Sequence, residues 1–362
     1  MSSGMPFCAV SQEFLEQADA NRDYQVIHHD NVFRYGLSHQ PVMESVYCDL
    51  GVLLASLLDQ YKDCSIPDVL TGTTISTECG SCYLIEHTQP LTIPCYAKED
   101  IQKILFRDLT LIRGIGKKRA AFLRQRGCQD VRDLVWSRHY AHRAHDSIDI
   151  IESGGKRLYQ EVARWHGHSH PLTLLTSGLY PPESFMFLDI ETLGMFCRPL
   201  FLIGTGIIRG NSIHISQFLA QDIWQEAAVL EAFQKTMQDT TVFVSFNGKS
   251  FDIPYIKSRL AYYDKEQELP NLHYDLLHCA RHYMKKNLCD CRLNTLEEHI
   301  LGIRREMDVP GAMVPEWYET YRIHKNPGPL IPIIHHNRQD IISLAELFVY
   351  FQKLAYGDHS VS

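Results

Sequence analysis

The stretch FMFLDIETLG, residues 185–194, constrains the fold of this 362-residue chain more than any other. Apolar residues run up to Asp189, one isoleucine separates that acid from Glu191, and the pattern breaks at Gly194. Side chains alternate along a strand, so Asp189 and Glu191 share one face while Ile190 takes the other. Two carboxylates side by side repel each other and resist burial unless something positive lies between them. The stretch therefore predicts a core strand that ends in a charged site.

The next segments extend the sheet. PLFLIGTGIIRG and SIHISQFLA read as strands joined by a tight turn at Arg209-Gly210-Asn211. DIWQEAAVLEAFQKTMQD has helical spacing, with Asp222 placed to cap it. TVFVSFN is an apolar strand ending at Asn247-Gly248, followed by the helix FDIPYIKSRLAYY, the short strand LHYD and the helix LLHCARHYMKK. NRQDIISLAELFVYFQKLA reads as an amphipathic helix opened by Asp340. Three strands joined by hairpins, then strands alternating with helices, predict an α/β fold with a mixed five-stranded sheet flanked by helices.

The chain before this segment is expected to be smaller and mainly helical. Residues 1–100 carry no motif of chemistry; FLEQADANRD and MESVYCDLGVLLASLLDQYK look helical and GSCYLIEH looks like a short strand. Residues 101–165 read as helices with short turns, 166–183 as a linker rich in His, Gly, Ser and Pro, and 184–356 as the strand-and-helix domain.

Composition narrows the class. With 45% hydrophobic and 22% charged residues the chain is an ordinary globular protein. GVLLASLL at 51–58 is far too short to span a bilayer, and Met1 to Val10 has no basic stretch followed by an apolar one, so neither membrane nor export is expected. Eleven scattered cysteines fit reduced thiols and a cytoplasmic location. The net charge of −8 hides a polarised chain: 103–144 holds eleven Lys or Arg against three Asp. A basic segment beside an acidic body suits a module that grips phosphates next to a site that holds cations, although charge runs are more often solvated helical faces.

Three places in the 184–356 segment offer acids where strands end or helices begin: Asp189 with Glu191, Asp252 after the Asn247-Gly248 turn, and Asp340. Each alone has a structural reading, since Asp is favoured in a first helical turn and often caps a strand end. Together they are harder to dismiss, because the expected sheet brings those strand ends to one edge. Four converging carboxylates call for divalent cations, and oxygen ligands suit Mg²⁺ or Mn²⁺. Two such ions about 4 Å apart can activate a water and stabilise the leaving oxygen of a phosphodiester.

These motifs carry a resemblance. DIET, NGKSFD and the HHNRQD segment resemble the three motifs of the DEDD exonucleases, the 3′–5′ branch of the ribonuclease H-like superfamily. CRLNTLEEHILGIRREMDVPGAMVPEWYETY followed by HHNRQDIISLAEL is similar to the YprB-like group within it, and the likeness covers roughly 185–355. It implies a ribonuclease H-like fold, Asp189, Glu191, Asp252 and Asp340 as ligands of two metal ions, and a 3′–5′ exonuclease acting on DNA or RNA with single-stranded 3′ ends. An endonuclease on structured or hybrid substrates, and a non-catalytic nucleic-acid-binding protein that keeps the fold, stay open. Motif spacing leaves two candidates for the general base. His335 fits one subgroup; His336 takes the tyrosine position of the other and is preferred, because it lies one helical turn from Asp340.

LIRGIGKKRAAFLRQRG, 111–127, resembles a helix-hairpin-helix motif. Gly114 and Gly116 would let the backbone approach closely, with Lys117, Lys118 and Arg119 adding sequence-blind attraction for phosphates; Asn247 joins them as a nucleic-acid-binding candidate. A packing hairpin is the plainer alternative. Cys79-Gly80-Ser81-Cys82, Cys289-Asp290-Cys291 and HGHSH at 166–170 are poor metal signals, and Asp275 reads as a helix cap that could also stand behind the acids.

Overall fold

In a computed structural model of the chain, residues 41–360 are described except 196, 238–240, 266–268, 271 and 306–307; for 41–48 and 358–360 the description is of the backbone alone. The FLEQADANRD helix expected near the start lies outside the described residues. Seven strands form one sheet: β1 (Thr73–Thr77), β2 (Gly80–Pro90), β3 (Phe185–Thr192), β4 (Leu200–Arg209), β5 (Ser212–Leu219), β6 (Val242–Ser245) and β7 (His273–Asp275). Their order is β1-β2-β5-β4-β3-β6-β7. The pairings from β1 to β3 are antiparallel, whereas β3–β6 and β6–β7 are parallel.

The five strands read from 185 onwards are present, and the β4–β5 turn is where the sequence puts it, with Gly210 at φ 60°. The expected count of five is nonetheless too low. β2, from the N-terminal region, pairs with β5 from Tyr83↔Leu219 to Pro90↔Ser212 and carries β1 with it. An unpaired β5 would be an exposed edge, and β2 covers it. Pairing between segments so distant in the chain leaves no periodic signal in either one.

Alternation along β3 splits the core into two layers. Met186, Leu188 and Ile190 pack on one face with Phe201, Phe233, Phe243, Ile256, Trp317 and Tyr318. Phe185 and Phe187 take the other face, against Phe348 of the C-terminal helix at ring-centroid distances of 4.8 and 5.8 Å. That helix runs Leu330–Ser360, so it begins well before Asp340, which does not open it. Pro332 sits in its first turn, where a missing N–H costs little, so the helix accommodates it there.

Residues 101–175 build a third core around Ile101, Leu105, Ile112, Ala120, Val131 and Leu134. The helix Gly155–His166 belongs to two cores at once: Leu158 and Val162 face this one, while Tyr159 and Ala163 face the sheet. Within 166–183, the short helix Pro171–Leu175 is buried, with Leu172 and Leu175 on the helical side and Leu174 on the sheet side. Among the described residues no helix is long and apolar enough to cross a membrane.

One glycine sets the spacing between sheet and C-terminal helix. Gly204 of β4 pairs with Asp189 on one side and Gln217 on the other. A Cβ there would collide with Asn337 Oδ1 and stand 2.5 Å from Ile341 Cδ1, both on that helix. Gly204→Ala is therefore expected to lower the unfolding free energy by about 2 kcal/mol. Gly311→Ala, with nothing within 4 Å of the added carbon, should change it little; urea denaturation of the two variants checks both.

Candidate active site

β3 runs on to Thr192 past its parallel pairing with β6, which ends at Phe187↔Val244, and its two acids lie on that extension. Asp189 and Glu191 leave the end of β3 on the face of the C-terminal helix, since they continue the Phe185 and Phe187 series. Asp252 begins the helix Asp252–Tyr262 after the turn that leaves β6, and its carboxylate accepts a hydrogen bond from the Ile190 backbone. Gly248 makes room for it: a Cβ there would collide with Ser245 Oγ and lie 3.1 Å from Asp252 Oδ2. Asp340 comes down from the C-terminal helix, two turns nearer its start than Phe348. Glu191 and Asp252 are buried, while Asp189 and Asp340 are partly accessible.

The four acids feel one another. Burial lifts the Asp189 carboxyl well above its ordinary range, with Asp340, Glu191 and Asp252 adding to it. Burial takes Glu191 to about 8, opposed by His336 and reinforced by Asp340 and Asp252. Asp252 rises to about 7, again chiefly through burial, with backbone hydrogen bonds opposing and Asp275 and Asp340 adding. A set that cannot hold all its negative charge unaided is a set that attracts cations.

Several residues that the sequence pattern does not single out hold these acids in place. Asn337 donates from Nδ2 to Asp189 Oδ2 at 2.7 Å, and its own Oδ1 accepts from Gln217 Nε2 at 2.8 Å. Gln217 also donates to the Ile334 carbonyl at 2.9 Å, so the amide of Asn337 has one orientation available to it. Arg305 binds Glu297 through Nε at 2.8 Å and Nη2 at 2.5 Å, lies 3.4 Å from Asp308, and pairs closely with Asp340. Its place within LGIRREMDVP offers no periodic signal, and only the fold brings it to the acids.

His336 Nδ1 meets Asp308 Oδ1 at 2.5 Å and His336 Nε2 lies 3.7 Å from Asp340 Oδ2. Burial alone would favour the neutral imidazole; the charge of Asp340 and the hydrogen bond to Asp308 outweigh it and hold the ring up to about 10. His335, its neighbour, is exposed, and its pKa is lowered by partial burial together with Arg338 and Arg305. Both histidines lie inside the helix rather than before it.

All-oxygen donors fit a hard divalent ion in chemistry. In position they do so incompletely: among the described residues no three His, Cys, Asp or Glu side chains close around one point to hold a metal as they stand. Asp189 and Asp340 are instead turned to Asn337 and Arg305.

Asp275 is a helix cap and more. It accepts from Leu277 N at 3.1 Å, and also from Asn247 N at 2.8 Å and Lys249 N at 3.1 Å, so it pins the turn that leads to Asp252. Asn247 sits at φ 64° in that turn. Lys249 Nζ reaches out of it to Tyr159 Oη at 2.8 Å and His168 Nδ1 at 2.9 Å, which ties the turn to the helical region. The hairpin candidates are not among these contacts. Gly114 has φ 88°, Gly116 precedes the helix Lys117–Gln125, and Lys117, Lys118 and Arg119 are exposed on it, with Arg119 Nη1 donating to Tyr140 Oη at 3.1 Å. An open pocket of about 370 Å³ lies there, lined by Arg113, Gly114, Gly116, Lys117 and Trp165 among others.

Residues 186–352 match the family model described as RNase_H superfamily. That segment is similar to this superfamily and has an RNase H-like fold. It holds all four acids and the clamp around them. "Uncharacterized protein YprB" of Bacillus subtilis (strain 168) is 32% identical over 201 residues, covering 54% of this chain and 48% of that protein. The chain thus spans about half the length of the curated relative it matches.

Burial, with Lys249 nearby, holds His168 down to about 4 and His273 down to about 3. Both sit below the ~6.5 of an unfolded chain, so the folded state resists protonation and their contribution to stability is lost as pH falls. The urea midpoint should therefore drop between pH 6.5 and pH 4. His168→Gln with His273→Gln should flatten that drop, and an unchanged slope would assign it to other groups.

Proposed function

We propose that this chain is a divalent-metal-dependent nuclease that hydrolyses phosphodiester bonds in nucleic acid, acting as a 3′–5′ exonuclease. The observation that carries the reading is the meeting of Asp189, Glu191, Asp252 and Asp340, from three separate segments, closely enough that neighbouring acids add to the rise that burial imposes on the pKa values of the first three. The match of residues 186–352, which contain them, to the RNase_H superfamily supports it.

In this reading the four acids hold Mg²⁺ or Mn²⁺, whose charge would activate a water and stabilise the departing oxygen. The rest falls to the chain's own side chains. Asn337 fixes the Asp189 carboxylate through a hydrogen bond to one of its oxygens. Asp275 holds the turn that presents Asp252. His336, oriented by Asp308, is the group to accept a proton from the attacking water, a role open to it once the charge of Asp340 is neutralised. The exposed Lys117, Lys118 and Arg119, with the Gly114–Gly116 turn, bind phosphates of the strand and hold it beside the domain.

An assay with end-labelled single-stranded DNA, RNA and duplexes, with and without Mn²⁺, tests the reading. Linear substrates should be shortened from the 3′ end and closed circles left intact; cutting of circles would favour an endonuclease. Asp189→Asn or Asp252→Asn should each reduce the rate about a hundredfold or more. Charge reversal at Lys117, Lys118 and Arg119 should weaken binding and lower the slope of log affinity against log salt by about 0.9 per lost phosphate contact. An unchanged slope would make the hairpin a packing element.

A further inference from the structure

Asp340 is engaged by cations of the protein on both of its oxygens. Oδ1 meets Arg305 Nη2, and Oδ2 lies 3.7 Å from His336 Nε2. Asp189, by contrast, has an oxygen on the neutral amide of Asn337. Nor can Arg305 readily leave. Its Nε and Nη2 grip Glu297, which is fully buried, and its Nη1 lies 3.4 Å from Asp308. Swinging out would strand a buried carboxylate, and breaking one half of a buried pair is strongly unfavourable.

We propose that Arg305 is the standing counter-ion of the acid cluster, a positioning residue that fixes Asp340 and weakens divalent-cation binding there by competing for the same carboxylate. The inference rests on the reading that the acids take divalent ions. Its sign runs against the usual expectation. A hydrogen-bonding partner behind a metal ligand ordinarily strengthens the site by orienting the ligand, and removing it weakens binding. Arg305 touches the ligating group with a full positive charge, and in a site this enclosed the repulsion between that charge and an incoming ion is poorly screened. The result is a cluster that folds without ions, because Arg305 balances Asp340, and that takes an ion at Asp340 less tightly than its carboxylates alone would. Glu297 makes this arrangement permanent by holding the guanidinium in place.

Titration of the full chain with Mn²⁺ by calorimetry tests it, comparing the wild type with Arg305→Lys and with the double variant Arg305→Met, Glu297→Gln. Replacing Glu297 together with Arg305 avoids stranding the buried Glu297 carboxylate and keeps the local net charge, so the change reports the loss of the cation at Asp340. The weaker Mn²⁺ site should tighten about tenfold in the double variant and stay within about twofold of wild type in Arg305→Lys, which keeps the charge. Unchanged or weaker binding in the double variant, or equal tightening in Arg305→Lys, would overturn the inference while leaving the metal reading in place. Absence of Mn²⁺ binding in every protein, wild type included, would remove that reading and this inference with it. Should the methionine variant fail to fold, Arg305→Gln with Glu297→Gln carries the same comparison.

Discussion

Negative charge at the end of β3 has to be balanced, and much of the surrounding architecture serves that requirement. Burial and mutual repulsion push Asp189, Glu191 and Asp252 toward their protonated forms. Arg305 and His336 supply positive charge, and both are held in place by acids of their own, Glu297 and Asp308. The cluster is therefore a network of paired charges in which Asp340 is the shared member. Such networks are costly when half satisfied, and here the partners come from several elements of the fold.

Close approach of the C-terminal helix makes the network possible. Phe348 lies on Phe185 and Phe187, and the same face of the helix, nearer its start, carries Asp340 and Asn337 toward the acids of β3. Gly204 is the gap through which Asn337 reaches Asp189 and Gln217 together, in a row that crosses three strands. The helical region is joined to the same machinery from the other side: Tyr159 packs against the sheet while its hydroxyl donates to the His273 carbonyl and meets Lys249. The turn that presents Asp252 is thus held between β7 and a helix of the basic region.

The amino-acid sequence by itself determined the local parts. Alternation in FMFLDIET set a strand with both acids on one face, Arg209-Gly210-Asn211 set a hairpin, and the sequence placed Asp275 before a helix that it caps. These features depend on residues within a few positions of one another, so backbone geometry alone expresses them. Only the tertiary structure decided the rest. It added β1 and β2 to the sheet, began the last helix at Leu330, turned His336 to Asp308, and brought Arg305 from an irregular loop to Asp340. Strand pairing and charge pairing across the chain are governed by distance in space, which leaves no period or spacing in the sequence to read.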